Sequence, residues 1–104
     1  MKLGFIGCGN MASAMMKGII GNNIIPCDEI IAYDVLEESR QRVANEFGIC
    51  IASDNKEVVD KSEMIVLAVK PQYYEDVISE VKDCIKEEQV IVTIAPGKTL
   101  AWLS

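Results

Sequence analysis

Histidine is missing from these 104 residues. Its absence removes an imidazole base, a Ser-His-Asp triad and any histidine metal ligand from the chemistry open to this chain. Cysteine occurs four times, at Cys8, Cys27, Cys50 and Cys84, and no two form a C-x-x-C pair. Such scattered thiols fit neither a disulfide framework nor a zinc site, so no metal is expected and a reducing, cytoplasmic setting is. Positive charge is scarce. Ten Lys and Arg stand against sixteen Asp and Glu, a formal net charge of −6, which argues against nucleic-acid or acidic-membrane partners. No apolar run nears the roughly 18 residues of a membrane span. Lys2 is followed at once by a short apolar run, so no secretory leader is expected.

What is present is periodic. Nearly continuous apolar runs alternate with helical patterns along the whole chain. Strands are predicted near 2–7, 29–34, 48–52, 63–69 and 89–95, and helices near 10–21, 36–47, 54–61 and 73–87. Runs such as Met64–Val69 and Val90–Ala95 suit strands covered on both faces of a parallel sheet. Val77, Ile78, Val81 and Ile85 recur at helical spacing. Asp54 with Glu57 predicts a capped helix start, and Gly48 a helix C-cap. Repeated strand–helix–strand units predict an α/β fold, a Rossmann-like doubly wound parallel sheet of five strands in the order 3-2-1-4-5. We expect a dinucleotide-binding domain over residues 1–98. Residues 99–104 then read as the start of a helix leading into a C-terminal domain absent from the chain.

The sharpest motif is Gly7-Cys8-Gly9-Asn10-Met11-Ala12. A glycine fingerprint alone is weak. Here it joins a predicted strand to a predicted helix and has an acidic residue, Asp34, further on, which is the context a dinucleotide site requires. Gly7 permits the tight turn. Gly9 lets a pyrophosphate approach the backbone. Ala12 takes the helix-packing position. The phosphates then meet free N–H groups at the positive helix end. Asp34 would accept hydrogen bonds from the adenosine ribose and repel a 2′-phosphate, which leans the cofactor, NAD(P)H, toward NADH. Its alternative reading is an N-cap for the next helix. Arg40 and Arg42 lie beyond it and could still reach a phosphate. Cys8 is either a thiol activated by the helix terminus or a small filler residue, and the filler reading is preferred.

Ligands of open parallel sheets bind outside the carboxyl ends of the strands. Gly7, Ala68–Pro71 and Ala95–Gly97 should therefore face one crevice. Pro71 restrains Lys70, a stiff wall suited to a nicotinamide ring, while Lys70 reads equally well as a solvated charge. Pro96-Gly97-Lys98-Thr99 is not a phosphate-binding P-loop, because Val92 stands where its first glycine is needed.

Gly4–Ala12, Ala68-Val69-Lys70-Pro71-Gln72 and Val92–Gly97 together resemble pyrroline-5-carboxylate reductase, over the whole chain. Hydroxyacid dehydrogenases and deazaflavin-linked NADP oxidoreductases share the first motif more than the second. The resemblance implies reduction of a ring imine, 1-pyrroline-5-carboxylate, to L-proline with NADPH or NADH. It implies that Ile6, Gly7, Cys8, Gly9, Asn10 and Met11 hold the diphosphate, that Asp34 and Asn55 lie by the adenosine half, and that Ala68, Val69, Lys70, Pro71, Ile94, Ala95 and Pro96 border the nicotinamide. Where the family usually has alanine-alanine-glycine, this chain has Ala95-Pro96-Gly97, and Pro96 withholds one N–H donor. The family's helical C-terminal domain dimerises and completes the substrate pocket, so homo-oligomers are expected only with that domain. No catalytic residue is assignable in this chain, which by itself should be inactive. The competing reading is a dinucleotide-sensing module without catalysis.

Overall fold

Leu3-Gly4-Phe5-Ile6 and Met64-Ile65-Val66-Leu67 have too few polar side chains to face water on either side, and both become central strands. In a computed structural model, which describes residues 1–93 apart from the side chain of Pro71, β1 (Leu3–Ile6) is flanked by β2 (Ile30–Tyr33) and β4 (Met64–Leu67). Beyond them lie β3 (Cys50–Ile51) and β5 (Val90–Thr93). All pairings are parallel and the order is β3-β2-β1-β4-β5, as the sequence pattern predicts. The strand order reverses between β1 and β4, so the crevice of a doubly wound sheet opens at their carboxyl ends.

Helix α1 (Asn10–Gly21) and α2 (Glu37–Phe47) cover one face of the sheet. There Ala12, Met16 and Val43 pack with Leu3, Phe5, Ile30 and Val66. Helix α3 (Asn55–Lys61) and α4 (Tyr74–Val81) cover the other, where Val58, Val59, Val77 and Val81 meet Ile6, Ile31, Ile65 and Leu67. The expected caps form. Asp54 accepts the Glu57 N–H at 2.8 Å, and the Glu57 carboxylate accepts the Ser53 N–H at 2.6 Å. Gly48 closes α2 at φ +71, donating its N–H to the Ala44 carbonyl.

Two elements are shorter than the sequence suggests. β3 keeps only Cys50 and Ile51 in the ladder, and Gly48, at the start of the predicted strand, is used to close α2 instead. The predicted helix 73–87 ends as α-helix at Val81 and tightens into a 3-10 turn over Lys82–Cys84. A second 3-10 turn, Pro71–Tyr73, precedes α4. Residues 94–104, with the expected wall at Ile94–Pro96 and the expected helix start, lie outside the described residues.

Gly4 fixes how closely α3 sits on β1. A Cβ there would collide with the Ser62 hydroxyl and lie 2.7 Å from a Val58 methyl. Overpacking of a buried site costs about 1–3 kcal/mol. Gly4→Ala should therefore lower the free energy of unfolding by that amount, read as a lower urea midpoint with an unchanged m-value. A midpoint equal to that of the parent would show that α3 can move away freely.

Candidate active-site crevice

The loop after β1 is held from three sides. Gly7 adopts φ +104, and a Cβ there would lie 2.9 Å from the Ala68 carbonyl carbon and oxygen. Only glycine lets the end of β1 press against the end of β4. The Gly7 N–H donates to the Tyr33 carbonyl at 2.8 Å, and the Ala68 N–H to the Ile6 carbonyl at 2.8 Å. Asp34, at the end of β2, then clamps the loop. Its Oδ2 accepts the Cys8 N–H at 2.8 Å and its Oδ1 accepts the Leu36 N–H at 2.9 Å. From the other side Arg42 Nη2 donates to the Cys8 carbonyl at 2.6 Å.

Asp34 is thus not the cap of α2. The capping position belongs to Leu36, and Asp34 forms a turn two residues earlier. A carboxylate has about four acceptor positions, so two remain for a ligand. Arg40 donates to the Asp34 carbonyl at 2.7 Å and lies over the Tyr33 ring, 5.3 Å from its centroid. Both arginines are therefore engaged with backbone carbonyls.

Gly9 has no such internal reason to be glycine. Its φ is −76, and a Cβ there would meet nothing within 4 Å. The space beside it is open at the start of α1. That helix has no side-chain cap and no acidic residue in its first turn. The first four N–H groups of a helix lack intrahelical acceptors, so those following Gly9 form an anion-binding end. Asn10 and Met11 are exposed beside it, and Ala12 is fully buried under it.

A cavity of about 520 Å³ runs from this loop between β2 and α4. Ile6, Gly7, Asp34, Asn55 and Val69, all predicted as site residues, line it together. Cys8, Gly9, Asn10 and Met11 lie at the loop and helix start rather than in the cavity wall. Ala68 is half-buried against Gly7, and Lys70 is exposed, its carbonyl accepting the Tyr73 N–H at 2.9 Å. Pro71 begins the 3-10 turn. Ile94, Ala95 and Pro96 fall outside the described residues.

Sequence reasoning missed the far wall. Tyr73, Asp76, Val77 and Glu80 line the cavity. Their spacing of three, four and seven residues places them on one helix face, a signal visible in the sequence once the crevice is known. Val35 and Leu36, 77% and 60% exposed, supply an apolar edge that β2 does not cover. Among the described residues no lysine or arginine lines this cavity.

The donor set fits a dinucleotide. Helix N–H groups and a vacant Cβ position suit a diphosphate, an acceptor at the end of β2 suits a ribose diol, and apolar walls suit a planar ring. The chain matches the family of NADP oxidoreductases described as coenzyme F420-dependent over residues 2–97. It belongs to that family. A pyrroline-5-carboxylate reductase of Methanosarcina acetivorans is 39% identical over 100 residues, 96% of this chain and 37% of that protein. The solved pyrroline-5-carboxylate reductase of Coxiella burnetii superposes with a TM-score of 0.86 at 29% identity, covering 99% of this chain and 40% of that one. That of Plasmodium falciparum, solved with NADP bound, superposes at 0.82 with 28% identity, covering 98% and 36%. The chain thus spans little more than a third of the relatives it matches.

Cys8 is a filler within this frame. It is fully buried, and burial, reinforced by the Asp34 charge, pushes its thiol up to about 12. A thiol raised from about 9 in this way stabilises the fold fully below pH 9, and that contribution disappears as pH rises toward 12. Treatment of the folded protein with a disulfide reagent at pH 8 should modify partly exposed Cys27, Cys50 and Cys84 and spare Cys8. Rapid labelling of Cys8 under those conditions, read by peptide mass, would mean that the loop opens.

Proposed function

We propose that this chain is the cofactor-binding part of a pyrroline-5-carboxylate reductase, an enzyme that reduces the ring imine of 1-pyrroline-5-carboxylate to L-proline, and that it takes NADH in preference to NADPH. The observation that carries the dinucleotide reading is Gly9, a glycine with no internal steric need beside an uncapped helix start. The reductases it matches in sequence and fold support the reaction. When bound, the nicotinamide supplies a hydride to the C=N carbon.

The chain's own residues bind and orient. The N–H groups at the start of α1 hold the diphosphate. Asp34 keeps the loop in shape and offers its remaining lone pairs to the adenosine ribose. Val35, Leu36 and Val77 exclude water from the adenosine side. Ala68–Pro71 form a border of the nicotinamide. The pyrroline contacts, the proton donor and the assembly into oligomers are left to the part of the site outside these residues. The setting is the cytoplasm, in keeping with four free cysteines.

The preference for NADH rests on like-charge repulsion between Asp34 and a 2′-phosphate, with Arg40 and Arg42 already bound to carbonyls. Calorimetric titration with NADH and NADPH tests both parts. Binding of NADH more tightly than NADPH is expected, and no binding of either at millimolar levels by folded protein would defeat the dinucleotide reading. Asp34→Ser should shift the affinity ratio toward NADPH by about tenfold, or 1.4 kcal/mol. An unmoved ratio would reduce Asp34 to a clamp for the loop.

A further inference from the structure

Asn55 is the one polar side chain at the crevice that is almost fully buried, at 6% exposure. It stands at the start of α3, across the cavity from α4. Its Nδ2 donates to Glu80 Oε1 at 3.1 Å. A carboxylate can only accept, so the chemistry of the pair fixes which end of the amide meets Glu80. The other end, Oδ1, is buried and has no hydrogen-bond partner among the described residues. An unmet buried acceptor costs about 1–3 kcal/mol. Packing does not explain it, and a donor arriving with a ligand would.

We propose that Glu80 is the cofactor-selecting residue of this crevice. By holding one Asn55 N–H, it anchors the amide so that its unmet Oδ1 is kept for the adenosine ribose. A free 2′-hydroxyl can donate to that acceptor. A 2′-phosphate, which has oxygens alone to offer, cannot bond to it. It meets instead the carboxylates of Asp34, Asp76 and Glu80, which line the same cavity. Among the described residues no lysine or arginine lines it. Glu80 thus works through Asn55 as a positioning residue. The inference rests on the dinucleotide reading above and sharpens its preference for NADH.

The test is calorimetric binding of NADH and of NADPH to the full-length protein and to two variants, Glu80→Ala and Glu80→Gln, each checked for folding by circular dichroism. Glu80 is exposed, so both variants should fold. Glu80→Ala removes the anchor, so that the Asn55 amide can turn its NH2 toward a phosphate, and should move the NADH-to-NADPH affinity ratio about tenfold toward NADPH. Glu80→Gln loses the charge but keeps an oxygen for Asn55, and should move the ratio only about threefold. An unchanged ratio in Glu80→Ala, with both cofactors still bound, would overturn the inference and leave the dinucleotide reading standing. An equal shift in the two variants would overturn the role given to the Asn55 contact. Failure of the parent protein to bind either cofactor would overturn the inference and the reading together.

Discussion

The carboxylate of Asp34 on the N–H of Cys8 is the contact on which the crevice depends. It ties the end of β2 to a loop 26 residues earlier in the chain, at 2.8 Å. Hydrogen bonds to charged groups contribute about 1.5–3 kcal/mol, more than neutral ones. With Arg42 on the Cys8 carbonyl, both backbone polar groups of that one residue are fixed. The loop can then deliver α1 at one angle, with its free N–H groups aimed out of the sheet. Gly7 completes the constraint, since its left-handed φ and its contact with Ala68 set the gap between β1 and β4.

The same contact shapes the electrostatics. A net charge of −6 disfavours an anionic ligand in general. The protein answers locally at the start of α1, where the dipole and unshared N–H groups are not offset by acidic side chains. The adenosine side is the opposite, with carboxylates and, among the described residues, no cation in its wall. One crevice therefore accepts negative charge at the loop and refuses it next to Asp34. That division separates a diphosphate from a 2′-phosphate by position rather than by overall charge.

Much of this was legible in the sequence. The sheet order followed from apolar runs without polar alternation and from helical patterns between them, and the turn at Gly7 and the cap at Asp54 followed from residue types with narrow backbone or hydrogen-bonding roles. The reach of Asp34 to Cys8 was not legible, because a β2 carboxylate reads the same whether it meets a ribose, a helix end or a loop. Glu80 was invisible for a different reason. On a helix pattern it is one more solvated acid, and only the fold brings it to Asn55, 25 residues away in sequence. The length of β3 was misjudged because Gly48, counted in that strand, serves instead as the C-cap of α2.

The central claim is that the carboxyl ends of β1, β2 and β4 form the dinucleotide site. Two-dimensional amide NMR of isotopically labelled protein during titration with NADH addresses it directly. The account predicts shifts at Gly7–Met11, at Asp34–Leu36 and at Asn55, with the opposite end of the sheet unmoved. A second cavity lies at that opposite end, lined by Lys61, Ser62, Lys86 and Gln89. Shifts confined to those residues, with the Gly7–Met11 amides unchanged, would contradict the account.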